Sequence, residues 1–443
     1  MRLGGGRGWG TLGRRFFQGT MRGILPVARF LSEAPTQDSK KPVMLDEVDL
    51  EAYESHRIRN FCIVAHIDHG KTSLSNRIME KAGILDASSG EELVLDSLQV
   101  EKERGITVKA QTVSMDWKGT LLNLIDTPGH VDFSSEVVRA VKACESAILL
   151  VDAIQGMQAQ TFHNLFLALE QDPPLAVLPV INKIDLALSL GEKGMEKLAA
   201  TERELQQILT SSTQSVLHIS AKADLGVDDL LDAIVSNLPP PPDNRDKPLR
   251  ALLFDSWYDD FRGVCCLFKV VDGSISVGDV IKSCHNGSDW TVQEIGVIGL
   301  NNIVDPSLPR SIEQESLIQK RSALSKRKAK RLWSGQVGYA FIGCRELRKL
   351  LPGDTFFRPS DFDLKSLPSP PSSSSSSSPP SLPVTPLPGM KPFNPMVHAG
   401  IYPVDAEQLP LFIDAVEKLL LTDRGVVAVR DRRSLFSSSL CSS

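Results

Sequence analysis

The loop 65–72 constrains this chain more than any other segment. It reads Ala-His-Ile-Asp-His-Gly-Lys-Thr and stands between a short apolar run, Phe61–Val64, and an amphipathic stretch, Thr72–Lys81. A buried strand that ends in such a turn and continues as a helix is typical of a phosphate-binding loop, because loop amides and the helix N-terminus stabilise an anion. A glycine-containing turn without a ligand is the alternative interpretation.

The same alternation of strands and helices continues beyond the loop. Strands are predicted at 120–125, 147–151, 176–181 and 216–219, and helices at 158–170, 195–209 and 228–238. Alternation of this kind predicts an α/β domain, with a mostly parallel sheet and helices on both faces. We place this domain at 57–242, where the stiff Pro239–Pro242 linker ends it.

Three further polar elements follow the loop at intervals that fit this pattern. They are Asp126-Thr-Pro-Gly-His130, Asn182-Lys-Ile-Asp185 and Ser220-Ala-Lys222. Each tripeptide or tetrapeptide is a weak signal alone, whereas the ordered set predicts a P-loop GTPase domain. The predicted GTP phosphate-binding residues are Ala65, His66, Ile67, Asp68, His69, Gly70, Lys71, Thr72, Asp126, Thr127, Pro128, Gly129 and His130. The predicted guanine-binding residues are Asn182, Lys183, Asp185, Ser220, Ala221 and Lys222.

Each residue type in the phosphate loop has a physical role. Gly70 lets the backbone come close to phosphate, Lys71 adds a point charge, and the hydroxyl of Thr72 is suited to ligate Mg²⁺. Ala65 stands where the strict motif has glycine. Because alanine is small, we expect it to be tolerated there.

The second element follows an apolar strand and predicts a switch. Asp126 is placed to reach Mg²⁺ through a water, and the Gly129 amide is placed to meet a γ-phosphate, a contact that exists only with triphosphate bound. His130 comes directly after, where a neutral imidazole can orient the attacking water. We therefore predict His130 as the catalytic residue; a surface histidine near a turn is the alternative.

The third and fourth elements predict selection of guanine. A carboxylate such as Asp185 accepts from N1 and the exocyclic amine of guanine, and adenine has no such donor pair. Asn182 assists this selection, Lys183 is expected to lie along the base, and the Ala221 amide is expected to meet the guanine oxygen. A metabolic kinase built on the same loop is disfavoured, because these residues select guanine and no phosphoacceptor site is visible.

A second switch is predicted between the first helix and the next strand, at 82–107. The segment is polar and charged and by itself resembles an ordinary loop. Thr107, however, follows Gly105-Ile106 directly before a strand, where its hydroxyl can complete the coordination of Mg²⁺ once GTP orders the segment. The predicted metal ligands are Thr72, Thr107 and Asp126.

Several of these motifs together resemble those of the translational GTPases: elongation factors Tu and G, initiation factor two and LepA. The motifs are Asp68-His-Gly-Lys71, Arg104-Gly-Ile-Thr107 and Asp126–His130. Segments 96–112 and 255–263 are most similar to LepA, also called elongation factor four, and 395–403 fits the start of that family's third domain.

The resemblance implies roles that the residues alone do not show. Ile67 and Ile106 are expected to form an apolar gate in front of the water that His130 orients. Family members bind ribosomes in the GTP state and are thought to move tRNAs one codon backwards. Mitochondrial members are associated with the matrix side of the inner membrane. The implied partners are GTP and GDP, the mitochondrial ribosome with its RNA and proteins, and tRNA indirectly.

The N-terminus indicates the compartment. Residues 1–32 carry scattered arginines and no acid before Glu33, which predicts a mitochondrial presequence and flexible lead over 1–42. A solvated N-terminal tail is the alternative. The seven cysteines form no Cys-x-x-Cys pair, which favours a reducing compartment. The net charge of -5 gives no global basic field, and we expect no DNA partner.

The remaining chain predicts a β-barrel domain at 248–360, with strands at 249–254, 264–271 and 279–282. A basic insertion interrupts it at 304–334, either as a solvated loop or as a contact for RNA phosphates. The Ser/Pro-rich tract 361–390 predicts a disordered linker. A strand at 396–401 and a helix at 405–421 predict a partial α+β domain over 391–431, followed by a divergent tail, 432–443.

Two functions follow from this organisation. The first is a ribosome-dependent GTPase of the mitochondrial matrix that promotes protein synthesis and fidelity. The second is a truncated GTP-binding module that occupies partners without completing the factor's cycle, because the later domains of the family are not recognisable in this sequence.

Overall fold

The computed structural model describes part of the chain, and all described residues belong to the unit Leu45–Ser443. The described ranges are 49–85, 111–128, 134–209, 215–259, 261–299, 326–346, 349–362, 384–388, 399–403, 405–422, 426–429 and 437–440. The presequence 1–42, nearly all of the 82–107 switch, and most of the insertion and linker predictions lie outside these ranges.

The first sheet of the chain has six strands, and it confirms the sheet that the alternating pattern predicts. Its strands are β1 Ile58–Ala65, β2 Gln111–Trp117, β3 Thr120–Asp126, β4 Ser146–Asp152, β5 Ala176–Asn182 and β6 Leu217–His218. They lie in the order β2-β3-β1-β4-β5-β6, with every pair parallel except β2 and β3. The central strands β1, β3 and β4 are buried along their whole length, which explains why they read as continuous apolar runs.

Six helices accompany this sheet in the described ranges. They are α1 Lys71–Lys81, α2 Ser134–Ala143, α3 Ala159–Leu169, α4 Ile184–Ser189, α5 Glu192–Ile208 and α6 Val227–Asn237. One apolar cluster joins α1 and α6 to one face of the sheet, and a second joins α2, α3 and α5 to the other. The sheet is therefore covered on both sides, as predicted.

The edge strand β2 differs from the predicted pattern. It is antiparallel to β3 and reaches it through a two-residue turn, where Lys118 has φ 51° and Gly119 has φ 79°. Positive φ at both positions is the geometry of a type I′ hairpin, and glycine suits the second position. An alternation of strands and helices does not predict such a hairpin.

A second, antiparallel sheet follows, and it confirms the predicted β-rich domain. The described strands of this region are β7 Arg250–Asp259, β8 Gly263–Asp272, β9 Ser274–Ser276, β10 Val280–Ser283, β11 Asp289–Thr291, β12 Glu294–Ile298, β13 Lys326–Ala329, β14 Arg331–Trp333, β15 Val337–Phe341 and β16 Thr355–Phe357. Eight of them lie in the order β11-β10-β16-β7-β8-β15-β12-β13, and β9 pairs with β14 in a separate ribbon. Both surround one apolar core that includes Phe268, Ile275 and Leu332.

A polar seam joins the two sheets. The Asn60 amide on β1 donates to Glu145 Oε2 at 2.8 Å and to the Gly335 carbonyl, before β15, at 2.9 Å. Glu145 in turn pairs with Lys269 of β8. Asn60 is 1% exposed, so these partners satisfy its buried amide and fix where the second sheet meets the first.

Residues 49–57, which we call the strap, cover this seam from the N-terminal side. They end in a 3₁₀ helix, Ser55–Arg57. Leu50 and Tyr53 are buried in the core of the second sheet, and the Tyr53 hydroxyl donates to Asp116 Oδ2 of β2 at 2.7 Å. The Gln336 amide donates to the Leu50 carbonyl at 2.7 Å. The strap therefore contacts both sheets at once.

The last described segments form a small α+β unit. A 3₁₀ turn, Ala406–Gln408, leads into α7 Leu409–Thr422, beside the strands β17 Ala399–Gly400, β18 Val426–Val429 and β19 Ser437–Leu440. Within the tail that we predicted as divergent, β19 is the central strand, paired with both β17 and β18. A four-residue strand made mostly of serines has no apolar alternation, so sequence patterning could not detect it.

The Ser/Pro-rich linker differs from prediction at both of its ends. A 3₁₀ helix, Pro359–Asp361, runs into its start. Near its far end Val384 is buried, the Leu387 amide donates to Thr355 Oγ1 at 2.9 Å, and Arg250 donates to the Thr385 carbonyl at 3.3 Å. These residues dock on the second sheet. In the described part of the chain, no helix is long and apolar enough to cross a membrane.

Candidate functional site

The phosphate loop connects β1 to α1 through two residues in the left-handed region. Asp68 has φ 63° and Gly70 has φ 90°. A Cβ added to Gly70 would lie 2.5 Å from Nδ2 of Asn182. Both the positive φ and this close approach require glycine, and α1 starts directly afterwards with the Leu74 amide bonded to the Gly70 carbonyl at 2.9 Å.

A buried ion pair lies beneath the loop. Lys71 Nζ is 2.8 Å from Asp126 Oδ2, and the Ser75 hydroxyl donates to Asp126 Oδ1 at 3.2 Å. The Lys71 side chain is 7% exposed and that of Asp126 is fully buried. The structure thus brings together the predicted phosphate-binding lysine, at the start of α1, and the predicted metal-associated carboxylate, at the end of β3.

The side chains at this point suit a hard divalent cation. Thr72 is half-buried in the first turn of α1 and offers a hydroxyl, and Asp126 offers a carboxylate; oxygen ligands are those that Mg²⁺ prefers. Among the described residues, no group of three or more His, Cys, Asp or Glu side chains is arranged to hold a metal ion. An Mg²⁺ that takes most of its ligands from phosphate and water needs no such group.

The chain after β3 is anchored but only partly described. The Thr127 hydroxyl donates to the Ile63 carbonyl at 2.7 Å, and Thr127 is buried. Pro128 is the last described residue of this element. Gly129 and His130 lie outside the described residues, as do Thr107 and Ile106 of the other predicted switch.

Asn182 ties three of the four elements together. Its Nδ2 donates to the His69 carbonyl in the phosphate loop at 2.9 Å, and its Oδ1 accepts from the Ala221 amide at 3.0 Å. Asn182 is 1% exposed. The side chain predicted to assist guanine selection thus holds the loops that would surround the base.

Asp185 and Ser220 are also brought together. The Ser220 hydroxyl donates to Asp185 Oδ1 at 2.7 Å and accepts from the Ala223 amide at 3.1 Å. The carboxylate is therefore held by the fourth element, at the start of α4. Lys222 is exposed beside it, and Ala221 is buried.

Lys183 has a partner that the guanine element itself does not predict. Its ammonium is 2.9 Å from Asp152 Oδ2 and donates to the Asp68 carbonyl. Asp152 ends β4 opposite Asn182, the last residue of β5. One sequence feature could have indicated this pair. Asp152 is an aspartate at the end of an apolar strand, and polar residues at the ends of neighbouring parallel strands often share a site.

His69 belongs to the phosphate loop, and its side chain is fully buried. Its Nδ1 is 3.4 Å from the Leu150 carbonyl, and its ring meets His66 edge to face with centroids 5.2 Å apart. Burial lowers the pKa of His69, and this outweighs the effects of the Leu150 carbonyl and Asp152, which raise it. The imidazole is therefore neutral at physiological pH.

Comparisons with known proteins agree with this geometry. The model of the elongation factor Tu GTP-binding domain matches residues 56–240. The mitochondrial translation factor GUF1 homolog of Dictyostelium discoideum is 42% identical over 427 residues, which cover 91% of this chain and 54% of that protein. The mitochondrial translation factor GUF1 of Homo sapiens is 40% identical, over 87% of this chain and 50% of that protein.

A bacterial relative and two solved structures extend the comparison. Elongation factor 4 of Synechocystis is 39% identical over 83% of this chain and 53% of its own length. A crystal structure of a protein from Thermus thermophilus shares the fold at 17% identity and a TM-score of 0.60, covering 86% of this chain and 63% of that one. Bacterial selenocysteine-specific elongation factor EF-Sec shares it at 20% identity and a TM-score of 0.51, over 68% and 44%. The chain spans about half the length of the curated relatives it matches.

Proposed function

This chain belongs to the LepA, or elongation factor 4, family of translational GTPases, and we propose that it binds GTP and hydrolyses it on the mitochondrial ribosome. The observation that supports the proposal most is the convergence of the phosphate loop, Asp126 and the guanine elements at one edge of the sheet, with Asn182 bonded to two of them. Open α/β sheets bind nucleotides at this edge.

The phosphate end of the site has a role for each group. The loop amides and Lys71 bind the phosphates, and Lys71 exchanges its bond with Asp126 for phosphate oxygens. Thr72, Asp126 and Thr107 are the residues that would hold Mg²⁺. When bound there, Mg²⁺ would supply positive charge that neutralises phosphate oxygens. Gly129 donates its amide to the γ-phosphate.

We assign the attacking water to His130. A neutral imidazole accepts a hydrogen bond from that water and orients it in line with the γ-phosphorus, as a glutamine does in small GTPases. Ile67 and Ile106 exclude other water from its path. The support for these three roles is the match of their motifs to the family.

The guanine end uses Asp185 to accept from N1 and the exocyclic amine, with Ser220 fixing the carboxylate. Lys183 lies along the base, and Ala221 offers its amide to the guanine oxygen. A base that lacks the donor pair leaves the Asp185 carboxylate without its partners, which costs kilocalories.

We further propose the matrix as the working compartment, with peripheral contact to the inner membrane and cleavage of a presequence within 1–42. Several relatives carry the word mitochondrial in their names. On the ribosome, we propose that the factor acts on RNA and proteins directly and shifts tRNA one codon backwards.

The test is GTP hydrolysis by the purified chain with and without mitochondrial ribosomes. We expect slow turnover alone and acceleration when ribosomes are added. Binding of GTP without acceleration would assign the chain to the alternative class, a GTP-binding module that does not complete the cycle. Sedimentation with ribosomes and a non-hydrolysable GTP analogue separates the two further, since such a module alone would not pellet.

A further inference from the structure

The ammonium of Lys183 is held from two sides. It pairs with Asp152 Oδ2 at 2.9 Å and donates to the Asp68 carbonyl of the phosphate loop. The side chain is 27% exposed, and its backbone lies in the left-handed region at φ 63°. These two partners fix the position of the ammonium at the end of a flexible four-carbon stem.

Asp152 is itself rigidly placed. It is 2% exposed, and its Oδ1 accepts from the amides of Ile154 at 2.7 Å and Gln155 at 3.1 Å. Burial alone would raise the pKa of Asp152, but the hydrogen bonds from Lys183 and the two amides lower it. The residue is therefore a fixed carboxylate with one oxygen for the turn and the other for Lys183.

We propose that Asp152 is a positioning residue for guanine, which fixes the Lys183 ammonium so that the alkyl stem forms one wall of the base site. This inference rests on the proposed function. Without the Asp152 carboxylate, the Lys183 ammonium has only the Asp68 carbonyl and solvent as partners. The alkyl stem can then adopt other rotamers, in which it does not line the base site. The ligand of this site is a guanine nucleoside di- or triphosphate. The contribution of Asp152 is to the affinity for that nucleotide.

The test compares GDP dissociation constants, measured by calorimetry, for the parent chain and Asp152→Asn. Asparagine is nearly isosteric, but its single oxygen can serve either Lys183 or the turn amides, and its amide then faces a donor. We expect GDP binding to weaken about tenfold, which corresponds to about 1.4 kcal/mol. Asp232→Asn is the matched control, because Asp232 pairs with Lys118 at 2.6 Å on an exposed surface; its GDP affinity should equal that of the parent.

A double-variant cycle separates positioning from general stabilisation. Lys183→Met keeps an apolar stem and removes the ammonium, so Asp152→Asn should cause no further loss of GDP affinity in that background. Additive losses would overturn the positioning role, as would a parental affinity in Asp152→Asn. If Asp152→Asn does not fold, Lys183→Met alone must weaken GDP about tenfold. A parent chain that binds no GDP would refute the proposed function instead.

Discussion

The bridging role of Asn182 leads to a quantitative prediction for Asn182→Ala. The variant removes one bond to the His69 carbonyl and one from the Ala221 amide, and both residues are at most 2% exposed. Each buried backbone group left unpaired costs about 1–3 kcal/mol. Because the loops can separate and admit water, we expect the free energy of unfolding to fall by about 3 kcal/mol.

Asn286→Ala is the matched control for this experiment. Asn286 also donates one bond to a carbonyl, that of Lys349, at 2.7 Å, and accepts one from an amide, that of Ser288, at 2.9 Å, but it is exposed. Water replaces its partners, so the change should stay within about 0.5 kcal/mol. The measurement is urea unfolding of both variants, followed by circular dichroism without nucleotide.

A second arm of the same experiment adds GDP. At 100 times the dissociation constant, GDP should stabilise the parent by about 2.7 kcal/mol. The same GDP concentration should stabilise Asn182→Ala much less, because its phosphate loop is no longer held against the guanine elements. Equal unfolding energies for Asn182→Ala and Asn286→Ala would refute the reasoning that the buried tie organises the site.

Three further predictions concern other parts of the chain. His130→Ala should keep GTP affinity and lose most turnover; equal turnover in single-turnover assays would remove the catalytic role. Because burial lowers the pKa of His69 in the folded state, stability should be fully present above the unfolded value of about 6.5 and fall as pH is lowered towards the folded value; His69→Gln should flatten that part of the unfolding profile, and an unchanged slope would contradict this. Leu50→Ala should lower the free energy of unfolding by about 2–5 kcal/mol, whereas Leu411→Ala, at a residue 74% exposed, should change it little in the same denaturation assay; equal effects would show that the strap contributes nothing.

The central strands and nucleotide loops could be predicted from the sequence because each is encoded locally. The interior of strand β4, residues 147–151, is an uninterrupted apolar run, and the positive φ of Gly70 favours glycine there. The predicted strand 147–151 and helix 228–238 differ from Ser146–Asp152 and Val227–Asn237 only at their ends. Hydrophobic patterning does not resolve the exact terminal residues of an element.

Features that depend on distant partners could not be predicted in this way. Helix α2 was not predicted, although its apolar residues pack on the sheet, because a stretch of this length is ambiguous without the surface it covers. The pairing of Asp152 with Lys183 can be recognised only when β4 is known to lie beside β5. The strap could not be predicted for the same reason, because its buried residues contact the second sheet, which is distant in sequence.

The strap also sets an order for folding. The Leu50 carbonyl meets the Gln336 side chain across 286 residues of sequence, and Arg245 reaches the Tyr53 carbonyl across 192. A chain synthesised from its N-terminus exposes the strap first. Arg245 is made just before the second sheet begins, whereas Gln336 is made only after β14, near the end of that sheet. Contacts of such long sequence separation form late. The bond between the strap and Gln336 therefore cannot form until the strands β7 to β14 have been made, and a shorter nascent chain presents Leu50 and Tyr53 to solvent.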